Sequence, residues 1–278
     1  MKEWKLYIAR TPVLGRAVLL IYRARVAFRY LSNQSKYFIK WLYKSKEVTN
    51  FTYDLEENNK RYLASLIADV LNMEFDTIME YIREIEGDIA LRRHVSDMVE
   101  SGEFAFMADK DVKFGRRVGW YAFARATKPN IIIETGVDKG LGSCILCAAL
   151  KRNKDEGYDG KYYGTDINPN AGFMLSGEYS EFGDIWYGDS IKSLEKFDDT
   201  VDLFINDSDH SADYEAKEYQ AIGNKLSEKA IVLGDNSHCT DNLFNFSLKA
   251  KRHFIFFQER PSEHWYPGGG IGICFKRQ

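Results

Sequence analysis

The chain has 278 residues, 45% hydrophobic and 28% charged, which suits one large α/β domain with an appendage. Only five prolines occur, without low-complexity tracts or repeats, which excludes fibrous and disordered classes. The net charge of −3 conceals an asymmetry, because residues 1–48 hold eleven Lys or Arg against Glu3 and Glu47. That segment carries +9 and the remainder −12, an acidic body that argues against nucleic acid as the partner.

In chain order, "LGRAVLLIYRARVAFRYL" (14–31) mixes aliphatic, aromatic and Arg positions at helical spacing. Its arginines interrupt the apolar stretch and argue against both a signal peptide and a spanning helix. Residues 1–48 therefore read as a basic amphipathic segment. It is suited to peripheral contact with an anionic membrane surface, or to covering the domain or a partner, a second copy included. Residues 49–115 read as a helical cap. "NKRYLASLIADVLNM" (59–73) and "FDTIMEYIREIEGDI" (75–89) repeat apolar residues every three or four, with Asp76 or Thr77 as starter of the second helix. "GRRVGWYAFARAT" (115–127) is one more helix, ended at Lys128-Pro129.

From there short apolar runs recur at 130–135, 161–167, 184–189, 201–207, 230–236, 253–259 and 270–276, with helical patterns between most of them, notably 141–153 and 211–227. Such alternation predicts parallel strands joined by right-handed crossovers. The last two runs lack an intervening helix and read as an antiparallel return. The expected fold of residues 116–278 is a doubly wound, Rossmann-like, mostly parallel seven-stranded sheet with a reversed final strand. Cys144, Cys147, Cys239 and Cys274 read as ordinary core thiols in a reducing, cytoplasmic setting, since no second C-x-x-C completes a zinc site.

In such a sheet, ligands sit beyond the carboxyl ends of the strands. Here these ends carry Glu134, Asp166, Asp189, Asp207 and Asp235-Asn236. The first runs into "ETGVDKGLGS", whose spacing is neither the dinucleotide fingerprint nor a phosphate-binding loop. A tight strand-to-helix turn explains the glycines equally well.

Taken in order, these motifs resemble those of class I S-adenosylmethionine-dependent methyltransferases, over about residues 116–278. The resemblance implies that Glu134, Gly136, Gly140 and Ser143 surround the methionine part of the cofactor. Asp166 would accept the ribose hydroxyls, and Asp189 with Ser190 would flank the adenine. "NDSDH" (206–210) is similar to a signature of magnesium-dependent macrolide-sugar O-methyltransferases, with Asn206 and Ser208 departing from it. That likeness implies Asp207 as a metal ligand with a catalytic part, and His210 as general base. "GDNSH" (234–238) resembles the Asp-Asn pair of catechol-type enzymes, which implies Asp207, Asp235 and Asn236 around Mg²⁺.

The acceptor implied is a hydroxyl of a small molecule or glycan sugar, with His264, Trp265 and Tyr266 facing it. Trp120 and Tyr121 are further lining candidates, or core residues. Alternatives are a metal-independent N- or O-methyltransferase and a non-catalytic cofactor-binding scaffold.

Overall fold

The computed structural model of the protein describes residues 11, 13–48, 50–102, 105–106, 108–209 and 211–277. The helices are α1 (Leu14–Lys44), α2 (Glu57–Leu71), α3 (Phe75–Glu86), α4 (Ile89–Ser101), α5 (Arg117–Thr127), α6 (Leu141–Asp155), α7 (Ser190–Lys196), α8 (Ala212–Ile222) and α9 (Asn242–Lys249). The strands are β1 (Ile131–Thr135), β2 (Lys161–Asp166), β3 (Gly183–Tyr187), β4 (Val201–Asn206), β5 (Leu226–Gly234), β6 (His253–Gln258) and β7 (Gly270–Phe275).

They form one sheet in the order β3-β2-β1-β4-β5-β7-β6. β1 to β5 pair in parallel, and β7 runs antiparallel to both β5 and β6. The mostly parallel, seven-stranded Rossmann-like sheet with a reversed final strand is thus what the chain adopts. β7, last in sequence, lies inside the sheet, and β6 is the edge.

The order 3-2-1-4 places β1 and β4 side by side, with consecutive connections departing in opposite directions from them. A crevice opens at such a reversal. Central strands covered on both faces need continuous apolar runs, and Ile132, Ile133, Leu203, Phe204 and Val232 are all fully buried. Ile133, Phe204 and Val232 share a cluster with Tyr219 and Ile222 of α8 and Leu243 of α9. Each such side chain contributes roughly 1.5–3 kcal/mol by leaving water.

Several boundaries differ from expectation. The helix expected over 75–89 stops at Glu86, and Asp88 caps a separate α4 by accepting the Leu91 N–H at 2.9 Å. α3 begins after Glu74, with no side-chain cap from Asp76 or Thr77. The helix expected over 211–227 ends at Ile222, because Leu226 pairs with Val201 to begin β5 ahead of a register shift. Cys144, Cys147 and Cys274 are buried as expected of core thiols, whereas Cys239 is exposed.

The chain divides into two compact units. One holds α1 and Glu263–Tyr266, and the other holds Lys46–Ser262 and the residues from Pro267. In the first, Trp265 meets Trp41 at 5.2 Å and Phe38 at 5.9 Å between ring centroids, and Lys40 pairs with Glu263 at 2.9 Å. His264, Trp265 and Tyr266, expected to face an acceptor, thus belong with the rings of α1.

In the second unit the helices α2 to α5 fall together with the sheet. Leu55 bridges Pro261, and Asn59 binds both the Gln258 carbonyl and the Arg260 N–H, which ties the start of α2 to the end of β6.

Candidate active site

The crevice begins at the turn after β1. Gly136 has φ +81°, and a Cβ there would lie 2.1 Å from the Asp207 carbonyl oxygen, so only glycine lets the turn pass the end of β4. Asp166, at the end of β2, accepts the N–H groups of Val137 and Asp138 at 3.1 Å each and that of Asn168 at 2.8 Å. Its carboxylate therefore fixes the glycine turn from the neighbouring strand. Gly140, at φ +94°, opens α6 against the backbone of Gly172.

These strand ends border a cleft of about 520 Å³. Of the residues marked from sequence, Glu134, Gly136, Asp166, Ser190, Asp207 and Asp235 line it, and Gly140, Ser143, Asp189 and Asn236 do not. Each exclusion has a cause. Ser143 is fully buried, with Oγ 2.7 Å from the Tyr162 hydroxyl, which itself donates to Glu134 at 2.5 Å. The role of Ser143 here is to hold Glu134 from behind. Burial pushes the Glu134 carboxyl up to about 7, against the opposing hydrogen bond from Tyr162. Asp189 caps α7, accepting from Ile191 and Lys192 N–H. Gly140 acts through the turn, and Asn236 is enclosed behind Asp235 in a short 3₁₀ turn. Trp120 and Tyr121 are core residues: both are about 1% exposed, and Tyr121 donates to Glu84. His210 lies outside the described residues.

The floor of the cleft departs from the expected metal site. Arg116, just before α5, directs its guanidinium at Asp235, in direct ion-pair contact, and at Asp207 and Glu259, each at 3.8 Å. The side chains of Arg116, Asp207 and Asp235 are 14%, 13% and 7% exposed, and that of Glu259 is fully buried. Burial and the neighbouring Asp235 charge raise the Asp207 carboxyl well above the usual range, while Arg116 opposes them.

Among the described residues no three His, Cys, Asp or Glu side chains form a metal-holding group. Asp207 and Asp235 instead face the Arg116 guanidinium, and Asn236 is enclosed behind Asp235. The positive charge between the carboxylates is Arg116, so Mg²⁺ does not fit here without displacing it. Sequence spacing gave no sign of this, because Arg116 precedes the whole sheet.

A second cluster was also missed. Glu218 of α8, fully buried, accepts from Ser190 Oγ in a short contact, from Asn206 Nδ2 at 2.5 Å and from Ser208 Oγ at 2.6 Å. One carboxylate thereby joins the ends of β3 and β4 beneath the cleft. Burial raises its carboxyl and these donors lower it, with a net upward shift. Glu215 and Glu218, three apart on one helical face, were the available signal.

The cleft suits a cationic, hydroxyl-bearing ligand. Glu134, Asp138, Asp166, Asp207, Asp209 and Asp235 border it against Arg116 and Arg117. Thr165 Oγ1, buried at its edge, has no hydrogen-bond partner among the described residues. Gly188, at φ +134°, leaves open space where a Cβ would stand. A sulfonium nucleoside fits this donor and acceptor set.

Residues 133–237 match a family model described as "Methyltransferase domain", over less than half of the chain. Comparison with curated proteins found no match. Among solved structures, a methyltransferase from Geobacter sulfurreducens is similar at 15% identity, with a TM-score of 0.50, over 66% of this chain and 90% of that one. An SAH-bound Podospora anserina methyltransferase gives 15% identity and a TM-score of 0.49, over 68% and 88%. A Streptomyces achromogenes O-methyltransferase involved in tomaymycin synthesis, in complex with SAM, gives 13% and 0.48, over 66% and 90%. The sheet order, the crevice at its reversal and the matched segment agree: residues 133–237 are similar to a methyltransferase domain and lie in a Rossmann-like sheet of the methyltransferase kind.

Proposed function

We propose that the protein transfers the methyl group of S-adenosylmethionine to a hydroxyl of a small molecule or glycan sugar, and that Arg116 supplies the positive charge assigned to Mg²⁺ in the related metal-dependent enzymes. The observation that carries this reading is the guanidinium set between Asp235, Asp207 and Glu259 at the cleft floor.

When bound, the cofactor supplies an electrophilic methyl on a sulfonium. Glu134, Gly136 and the turn held by Asp166 would receive its amino-acid portion. Asp166 keeps lone pairs for a vicinal diol beside those given to the turn, and Ser190 and Gly188 border the space left for the base.

An acceptor hydroxyl must approach opposite the leaving sulfur and lose its proton as the new C–O bond forms. Arg116 offers fixed N–H donors to the oxygen on which negative charge grows, in a poorly hydrated floor where such charge is worth most. His210 is the proposed proton acceptor, three residues beyond Asp207 in sequence. Alignment of the two reactants contributes much of the remaining acceleration.

Calorimetry with S-adenosylmethionine, followed by transfer of a labelled methyl to a panel of hydroxylated acceptors with and without EDTA, tests both parts. Binding and EDTA-resistant transfer are expected. Absence of binding at millimolar cofactor would remove the methyltransferase reading. Transfer lost in EDTA and restored by Mg²⁺ would remove only the part assigned to Arg116.

A further inference from the structure

α1 belongs to the first of the two units, and its surface is unusual. At 3.6 residues per turn, Leu20, Ile21, Phe28, Leu31, Ile39 and Leu42 fall within an arc of about 100°. Each is more than half exposed. Arg25, Arg29, Lys36 and Lys44 fall in a second arc of about 100°, and all are exposed. No Asp or Glu occurs anywhere in the helix. The rings of Phe38 and Trp41 engage Trp265 beside the apolar arc, which leaves the rest of that arc in water.

An apolar stripe some 33 Å long, at 1.5 Å per residue from Leu20 to Leu42, would not stay in water without an occupant. The absence of acids next to a row of cations selects a negatively charged one. No helix among the described residues is long and apolar enough to cross a membrane. A surface-lying position uses both faces at once, with the apolar stripe in the acyl boundary and the cations at the headgroups.

We propose that α1 is an interfacial helix that lays its Leu20–Leu42 stripe on an anionic lipid surface, with Arg25, Arg29, Lys36 and Lys44 set against the headgroups. This goes beyond the catalytic reading and does not depend on it.

Co-sedimentation of the full chain with vesicles of phosphatidylcholine, with and without phosphatidylglycerol, reads the proposal directly. Binding to the anionic vesicles is expected, with release at high salt. Joint Arg25→Gln, Arg29→Gln and Lys36→Gln substitution should weaken the partition about 100-fold, at about fivefold per cation. Phe28→Asp with Leu31→Asp should abolish binding, while a urea unfolding curve unchanged from wild type in the same variant reports that the fold is intact.

Equal binding to neutral and anionic vesicles, or none to either, overturns the proposal. So does a wild-type dimer in light scattering that Phe28→Asp with Leu31→Asp converts to monomer without any vesicle binding, for then a second copy covers the stripe.

Discussion

Replacing Arg116 by Gln leaves Asp235, Asp207 and Glu259 facing each other with no cation between them. All three are at least 87% buried in their side chains, so water replaces little of the lost charge. Breaking a buried ion pair from one side costs about 3–5 kcal/mol, a large fraction of the 5–15 kcal/mol that holds a typical domain together. Urea unfolding at pH 7 should therefore show a fall of about that size. Asp235→Asn in the Arg116→Gln background should recover part of it by removing one orphaned charge, as a double-mutant cycle measures.

The same variant opens the site to metal. Arg116→Gln should bind Mn²⁺ measurably by paramagnetic resonance, where the wild type does not. A loss under about 1 kcal/mol, well below that expected of a buried pair, with no coupling to Asp235, would refute the reasoning. So would Mn²⁺ bound by the wild type at this site.

The Glu134 carboxyl, raised to about 7 by burial, gives a signed pH effect. Its contribution is fully present below the unfolded-state value near 4.5 and is lost as pH rises through 7, on the order of 3 kcal/mol in total. Glu134→Gln should flatten that part of the stability profile, measured as the difference from wild type across pH 4–8. Gly136→Ala, with its Cβ driven into the Asp207 carbonyl, should lose cofactor affinity at least tenfold in calorimetry, since turn and β4 must part. His210→Ala should cut turnover by roughly 100-fold or more while cofactor binding stays near wild type. Unchanged turnover would remove it as the base.

The fold was largely legible because its strands are uninterrupted apolar runs ending in acids, a pattern set by burial on both faces and needing no knowledge of neighbours. Of the strand-end acids, Glu134, Asp166, Asp207 and Asp235 line the cleft. Elsewhere a competing local partner draws the side chain away from the cleft. Asp189 has free helix N–H groups two and three residues on, and Ser143 has Tyr162 behind it. The role of Arg116 depends on a contact with residues about 90 to 140 positions later, which no local spacing encodes. The break at Gly87-Asp88 was written in the sequence, as a helix end followed by a cap, and was overridden there by the apolar period running across it.

The seat of β7 between β5 and β6 has a bearing on how the chain assembles. Gly234 meets Gly272, and His253 meets Phe275, so the final ladder closes two gaps with one segment. Until residues 270–275 arrive, β5 shows a bare row of amides on its outer side and β6 has no partner at all. β7 pairs with β5 across about 40 residues and with β6 across 12 to 22, so completing the sheet waits on residues 270–275. A half-finished molecule would display the sort of open border that recruits strands from other copies.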